Sequence, residues 1–354
     1  MPRQLRLEYE GAVYHVLARG NRRESIYRDD RDRLAWLDYL SQACQRTGWR
    51  VCGWVLMGNH YHLLVETPGA NLVSGMQWLQ TAYTGWFNRR HALSGHLFGG
   101  RYKAVLVDEG EPQSNMLYGY LGTVLDYVHL NPVRAGIVGG RSSKSLLDYR
   151  WSSLTGAYLC SPRKRPKWAH VEMAFPLFGL KDNVAGRRGF LERLELRVQE
   201  ESARCCGART PEGQSLQSTL RRGWYFGSQT FRERLLALLP KTDADVRTDQ
   251  GQHYEGAVLM RDAAEEKAER IFIRELRAAG LTEKALRERR SEPVKWKIAR
   301  TMRTETTVSL GWIARRLDLG SASNACHNVQ DRTLQLADAA YGRSGAWHFC
   351  VFGH

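Results

Sequence analysis

No stretch of this chain reaches the ~18 uninterrupted apolar residues that a bilayer-spanning helix needs, which argues against a membrane-spanning protein. The opening Met1-Pro2-Arg3-Gln4-Leu5-Arg6 has no apolar segment of the secretory kind, so a cytoplasmic location is expected. Cysteine pairing is also missing. The seven cysteines, at 44, 52, 160, 205, 206, 326 and 350, include no Cys-x-x-Cys, which removes the usual zinc-knuckle and redox motifs. Reduced, mostly buried thiols are expected. No internal repeat is visible, and acidic residues are scarce beside basic ones, with 37 Asp and Glu against 52 Lys and Arg and a net charge of +15. A surplus of that size calls for a polyanionic partner, and with no membrane segment the partner is nucleic acid.

What is present centres on Trp54-Val55-Leu56-Met57-Gly58-Asn59-His60-Tyr61-His62-Leu63-Leu64-Val65-Glu66. Side chains alternate along a strand, so His60 and His62 leave the same face, about 7 Å apart at the backbone. Neutral imidazole is the commonest protein ligand for divalent metals, and two such ligands leave positions open for water or a phosphate oxygen. The plain alternative is a pair of strand histidines satisfied by backbone partners.

The pattern around this pair predicts further elements. Gly11 to Ala18 reads as a first strand ending in the basic turn Arg19-Gly20-Asn21-Arg22-Arg23, and Asp29 or Asp30 caps a helix stopped by Gly48. Strands over about 49–57 and 60–66 form a hairpin through Gly58-Asn59. A helix over 71–91, a strand over 101–108 and a helix from Ser114 or Asn115 to about Asn131, before Pro132, complete the order βαββαβα. That is an α+β fold, a ferredoxin-like antiparallel sheet with packed helices over residues 1–160. Residues 161–250 carry amphipathic stretches at 187–200 and 229–239 but no motif, and read as a linker and helical region. Residues 251–354 read as a mostly α-helical DNA-binding region, with a helix-turn-helix at about 307–332. There Ser309 caps a helix, Gly320 makes the turn, and a second helix presents Ser323, Asn324 and His327 to DNA. A plain helical hairpin is the alternative.

A metal on a basic protein suggests phosphodiester chemistry. In Leu125-Asp126-Tyr127-Val128-His129-Leu130-Asn131-Pro132-Val133-Arg134, Tyr127 and Asn131 stand one helical turn apart on one face. The Asn131 oxygen can complete a shell begun by His60 and His62, and Tyr127 can bring its hydroxyl to the same ion. A phenol with its ordinary pKa near 10 attacks poorly, so a metal that offsets transition-state charge is a chemical need. Tyrosines on amphipathic helices more often pack into cores. His129 reads as structural or as a phosphate contact, and Asp126 as solvated.

These segments, with Tyr14-His15-Val16 and Arg19-Gly20-Asn21, resemble the REP-associated tyrosine transposases, part of the wider single-tyrosine HUH group and the IS200-like superfamily. The resemblance covers about residues 1–158. It implies a ferredoxin-like fold, single-stranded and hairpin-forming DNA as substrate, and magnesium or manganese as cofactor. It also implies His60, His62 and Asn131 as metal ligands and Tyr127 as the nucleophile. Tyr61 stands where the family has a bulky hydrophobe. Arg19, Asn21, Arg22, Arg23, Arg101, Lys103 and Arg134 are the expected DNA contacts in this part of the chain. The expected enzyme nicks and joins single-stranded DNA through a covalent 5′-phosphotyrosine, as a monomer or homodimer, with duplex DNA a further partner of the C-terminal region. Two other readings stay open: a helix-turn-helix regulator with a silent transposase domain, and a phosphodiesterase that uses water in place of Tyr127.

Overall fold

The computed structural model describes residues 7–110, 118–139, 142–205, 219–220, 223–238, 252–288 and 293–320. Five strands, β1 (Ala12–Arg19), β2 (Arg50–Leu56), β3 (His60–Thr67), β4 (Lys103–Val107) and β5 (Tyr225–Phe226), form one sheet in the order β2-β3-β1-β4-β5. The first four strands are antiparallel and have the ferredoxin-like order. The sheet is nonetheless mixed, because β5 joins β4 in parallel.

Helix α1 (Asp30–Thr47) starts where the Asp29 carboxylate accepts from Asp32 N and ends at Gly48, whose φ of 76° is the left-handed geometry that a Cβ disfavours. Together with α2 (Leu72–Arg90) it covers one face of the sheet, where Tyr61 meets the Trp36 ring at 4.6 Å and accepts a hydrogen bond from Gln80. The other face is covered by α3 (Gly119–His129), which lies against β2, β3 and β4. Gly53 permits this approach, since a Cβ there would stand 2.8 Å from Leu125 Cδ1.

Helix α3 stops at His129, short of the expected Asn131. Pro132 has no N–H to offer the preceding turn, and Leu130 leaves helical geometry (φ −88°, ψ 0°) before α4 (Asn131–Arg134) begins. The expected start at Ser114 or Asn115 lies outside the described residues.

The core extends past residue 160. Phe175, Phe190, Leu194, Leu220, Phe231 and Leu235 are buried in the same cluster as the sheet. They come from the segment after residue 160, from α5 (Val184–Cys205) and from α6 (Gln229–Ala237). Both sheet edges are closed by late segments: β5 lies along β4, while Val51 and Val55 of β2 bridge to Ala169 and Ser152. Covering edges in this way blocks pairing with other chains. Near the start of the stretch read above as a linker and helical region, Arg165 is pinned to Asp182 at 2.5 and 2.7 Å.

A second core joins α7 (Gln252–Ala278), α8 (Glu283–Glu288), α9 (Pro293–Glu305) and α10 (Leu310–Arg316) through Phe272, Ile298, Met302, Ile313 and Leu317. Ser309 caps α10 by accepting from Trp312 N, and Gly320 has a φ of 77°. The second helix of the expected helix-turn-helix, with Ser323, Asn324 and His327, lies outside the described residues.

Candidate active site

The register of three strands sets the site. Arg19 lies opposite His60, Leu17 opposite His62, and Lys103 opposite Leu17, so these side chains and His15 share the face beneath α3. From above, α3 brings the Tyr127 ring to 5.5 Å from the His62 ring and 5.8 Å from the His15 ring, centroid to centroid. The His60 and His62 rings are 5.2 Å apart and nearly perpendicular. Groups 65 residues apart in sequence, His62 and Tyr127, therefore converge on one point of the sheet.

His60 Nδ1 donates to Asn59 Oδ1 at 2.7 Å, which places the lone pair of its neutral ring on Nε2. His62 is buried, and its Nδ1 is 2.8 Å from His15 Nε2. Burial pushes the His62 pKa well below its ordinary value, helped by the nearby charges of His15, His60, Arg19 and Arg134. His15 falls to about 3, first from burial and then from Lys103. Both rings are neutral at physiological pH, the form that ligates metals.

Asn131 is buried beneath the break between α3 and α4, where its Nδ2 donates to the Tyr127 carbonyl at 2.8 Å. That commits the nitrogen and leaves the amide oxygen as its ligating atom. Among the described residues no group of three or more His, Cys, Asp or Glu is disposed to hold a metal. An Nε2 lone pair on His60 and a neutral His62 are two donors of the kind a divalent ion takes, with coordination positions left for an amide oxygen and for substrate.

Arg134 turns inward. Its guanidinium lies 4.7 Å over the Tyr127 ring, donates to the Tyr127 carbonyl at 3.2 Å, and pairs with Glu201 of α5. Asp126 is a correction to the sequence reading. It is buried, and Arg193 of α5 grips both its oxygens at 2.7 and 2.9 Å. His129 is structural, buried with Nε2 2.8 Å from Ser153 Oγ.

The rim is basic. Arg19, Asn21, Arg22, Arg23 and Arg101 are exposed and Lys103 is half-buried. Arg22 and Arg23 have φ of 51° and 65°, a left-handed geometry that costs non-glycine residues roughly 1–2 kcal/mol each. The turn is held by Asn59, whose Nδ2 donates to Arg23 O at 3.0 Å, and by Gly20 N donating to Asn59 O at 2.8 Å. Gly99 N donates to Arg19 O at 2.9 Å, bringing the approach to Arg101 alongside.

A tyrosine thus stands over a histidine pair on a sheet with a basic rim, and part of the chain is similar to a known family. A family model described as "Transposase IS200 like" matches residues 8–121, a span that holds His15, His60 and His62 and ends before Tyr127. The match covers about a third of the chain and makes residues 8–121 similar to an IS200-like transposase domain. Five solved chains match. One, described as a REP-associated tyrosine transposase bound to a REP hairpin, is 15% identical, covers 43% of this chain and 82% of its own, and superposes with a TM-score of 0.34. No curated protein matches the chain. No helix among the described residues is long and apolar enough to cross a membrane.

Proposed function

We propose that the chain is a metal-dependent single-strand DNA endonuclease and strand transferase whose nucleophile is Tyr127. The observation that carries this reading is the convergence of Tyr127 with His62 at 5.5 Å, beside His60. The Tyr127 oxygen attacks a phosphorus, the bond to the 3′ oxygen breaks, and that oxygen takes up a proton as the phenolic one departs. A 5′-phosphotyrosine and a free 3′-hydroxyl result, so rejoining needs no nucleotide cofactor. His60, His62 and the Asn131 oxygen would hold magnesium or manganese, which supplies Lewis-acid stabilisation of phosphate charge.

The chain's own residues do the rest. Asn131 and Arg134 fix the Tyr127 backbone, and the Arg134 guanidinium packs over the ring. The exposed cations of the rim, set in a turn that stores backbone strain, are the reading's phosphate contacts. In this reading the substrate is single-stranded DNA, including strands folded into hairpins. The second core, with its capped α10, belongs to a region that engages duplex DNA.

The test is covalent labelling. Incubating the full chain with labelled single-stranded DNA and magnesium or manganese leaves label on the denatured wild-type protein and none on Tyr127→Phe, which keeps the ring and removes only the attacking oxygen. Cleavage without an adduct would favour the water-based phosphodiesterase. Duplex binding with neither cleavage nor adduct would favour a silent transposase domain on a DNA-binding regulator.

A further inference from the structure

The contact between His15 and His62 joins two neutral imidazoles, so its 2.8 Å hydrogen bond holds a single proton and has two possible senses. If His15 Nε2 donates, His62 Nδ1 accepts, the other proton of His62 sits on Nε2, and that ring has no lone pair to offer an ion. If His62 Nδ1 donates, His62 Nε2 carries the lone pair and His15 carries its proton on Nδ1. The rings are aligned for such a bond, 7° from parallel. His60 already shows the second sense, since Asn59 Oδ1 can only accept from its Nδ1.

Resting on the metal site proposed above, we infer that His15 is a positioning residue that fixes the ligand-competent tautomer of His62 by accepting its Nδ1 proton. The setting of His15 supports it. His15 is wholly buried in the central strand, so bulk water does not compete for the bond. Because His15 Nδ1 is buried without a partner, the bond to His62 is, among the described residues, the one hydrogen bond that holds the ring. Partners of this kind orient ligating histidines and typically alter metal affinity 10- to 100-fold.

The experiment uses the full chain and two readouts that need no cleavage. In magnesium-saturated protein labelled with 15N-histidine, nitrogen shifts should show His62 and His15 both protonated on Nδ1. A protonated His62 Nε2 would overturn the inference whatever any variant does. Manganese binding followed by electron paramagnetic resonance should weaken about 10- to 100-fold in His15→Leu. It should recover in part in His15→Gln, whose side-chain oxygen can accept the same proton. Wild-type binding matched by His15→Leu would overturn this inference alone, whereas failure of wild type to bind manganese would overturn the metal reading with it.

Discussion

Replacing Arg193 by methionine tests whether α5 holds the tyrosine helix in place. The Arg193 guanidinium gives two hydrogen bonds to Asp126, at 2.7 and 2.9 Å, and lies 3.7 Å over the Phe178 ring. The side chains of Asp126 and Arg193 are only 6% and 12% exposed, so the pair is desolvated and water cannot replace a lost partner. Methionine keeps the aliphatic bulk but strands the Asp126 carboxylate, with Arg197 Nε, at 3.8 Å, its remaining cation. Breaking a buried pair from one side costs about 3–5 kcal/mol, and the residual Arg197 contact places this variant near the lower figure, about 3 kcal/mol. Exchanging both partners, as Asp126→Leu/Arg193→Met, removes the stranded charge and should come within about 1 kcal/mol of wild type or exceed it. Urea denaturation followed by tryptophan fluorescence measures all the variants, and the double-mutant cycle isolates the pair. A single variant costing under about 1 kcal/mol, or a double variant costing the sum of the singles, would refute the account. Since Asp126 adjoins Tyr127, adduct formation should fall in the single variant and recover in the double one.

Three other outcomes follow from the packing. Gly53→Ala should cost about 1–3 kcal/mol and depress cleavage by pushing Leu125 and its helix off the sheet, and adding Leu125→Ala should relieve the cleavage defect. His129 is held neutral with a pKa lowered to about 3, mainly by burial and then by Arg193, so between pH 6.5 and 3 the unfolded chain binds a proton that the folded chain refuses. Stability is therefore full above pH 6.5 and lost as pH falls; His129→Gln should flatten the acid limb by up to about 1.4 kcal/mol per pH unit in denaturation midpoints. Finally, a fragment ending near residue 238 should keep the adduct-forming activity, whereas one ending at 160 should be lost to aggregation when both are purified by size exclusion. The shorter fragment lacks β5, the Ala169 bridge to β2, and the partners of Asp126 and Arg134.

The parts of this fold legible in the sequence are those fixed by short-range rules. Period-two alternation placed His60 and His62 on one face, Gly58-Asn59 marked the hairpin, and Asp29 and Gly48 bounded α1. Contacts set by long-range register were not legible. His15 touches His62 because β1 and β3 pair with Leu17 opposite His62, and no local pattern specifies that offset. Its signal was a histidine in an otherwise apolar strand, which composition alone reads as incidental. Asp126 looked solvated because a lone acid near a helix end usually is, and its partner is 67 residues away in a segment without a motif.

That segment explains why motif reading and packing divide the chain differently. Arg193, Arg197 and Glu201 recur every fourth residue along α5, a spacing that puts them on one helix face. Asp126 and Arg134, which receive two of them, are themselves eight residues apart on either side of the break at Leu130. Two ion pairs thus bridge the α3–α4 discontinuity from outside, at the point where Pro132 deprives the backbone of its own continuity. A tyrosine one turn before such a break would otherwise sit on a fraying end. The proposed in-line attack on a phosphate requires that tyrosine to be held rigid over the histidines, and the ion pairs that hold it come from residues beyond the family match, which ends at residue 121.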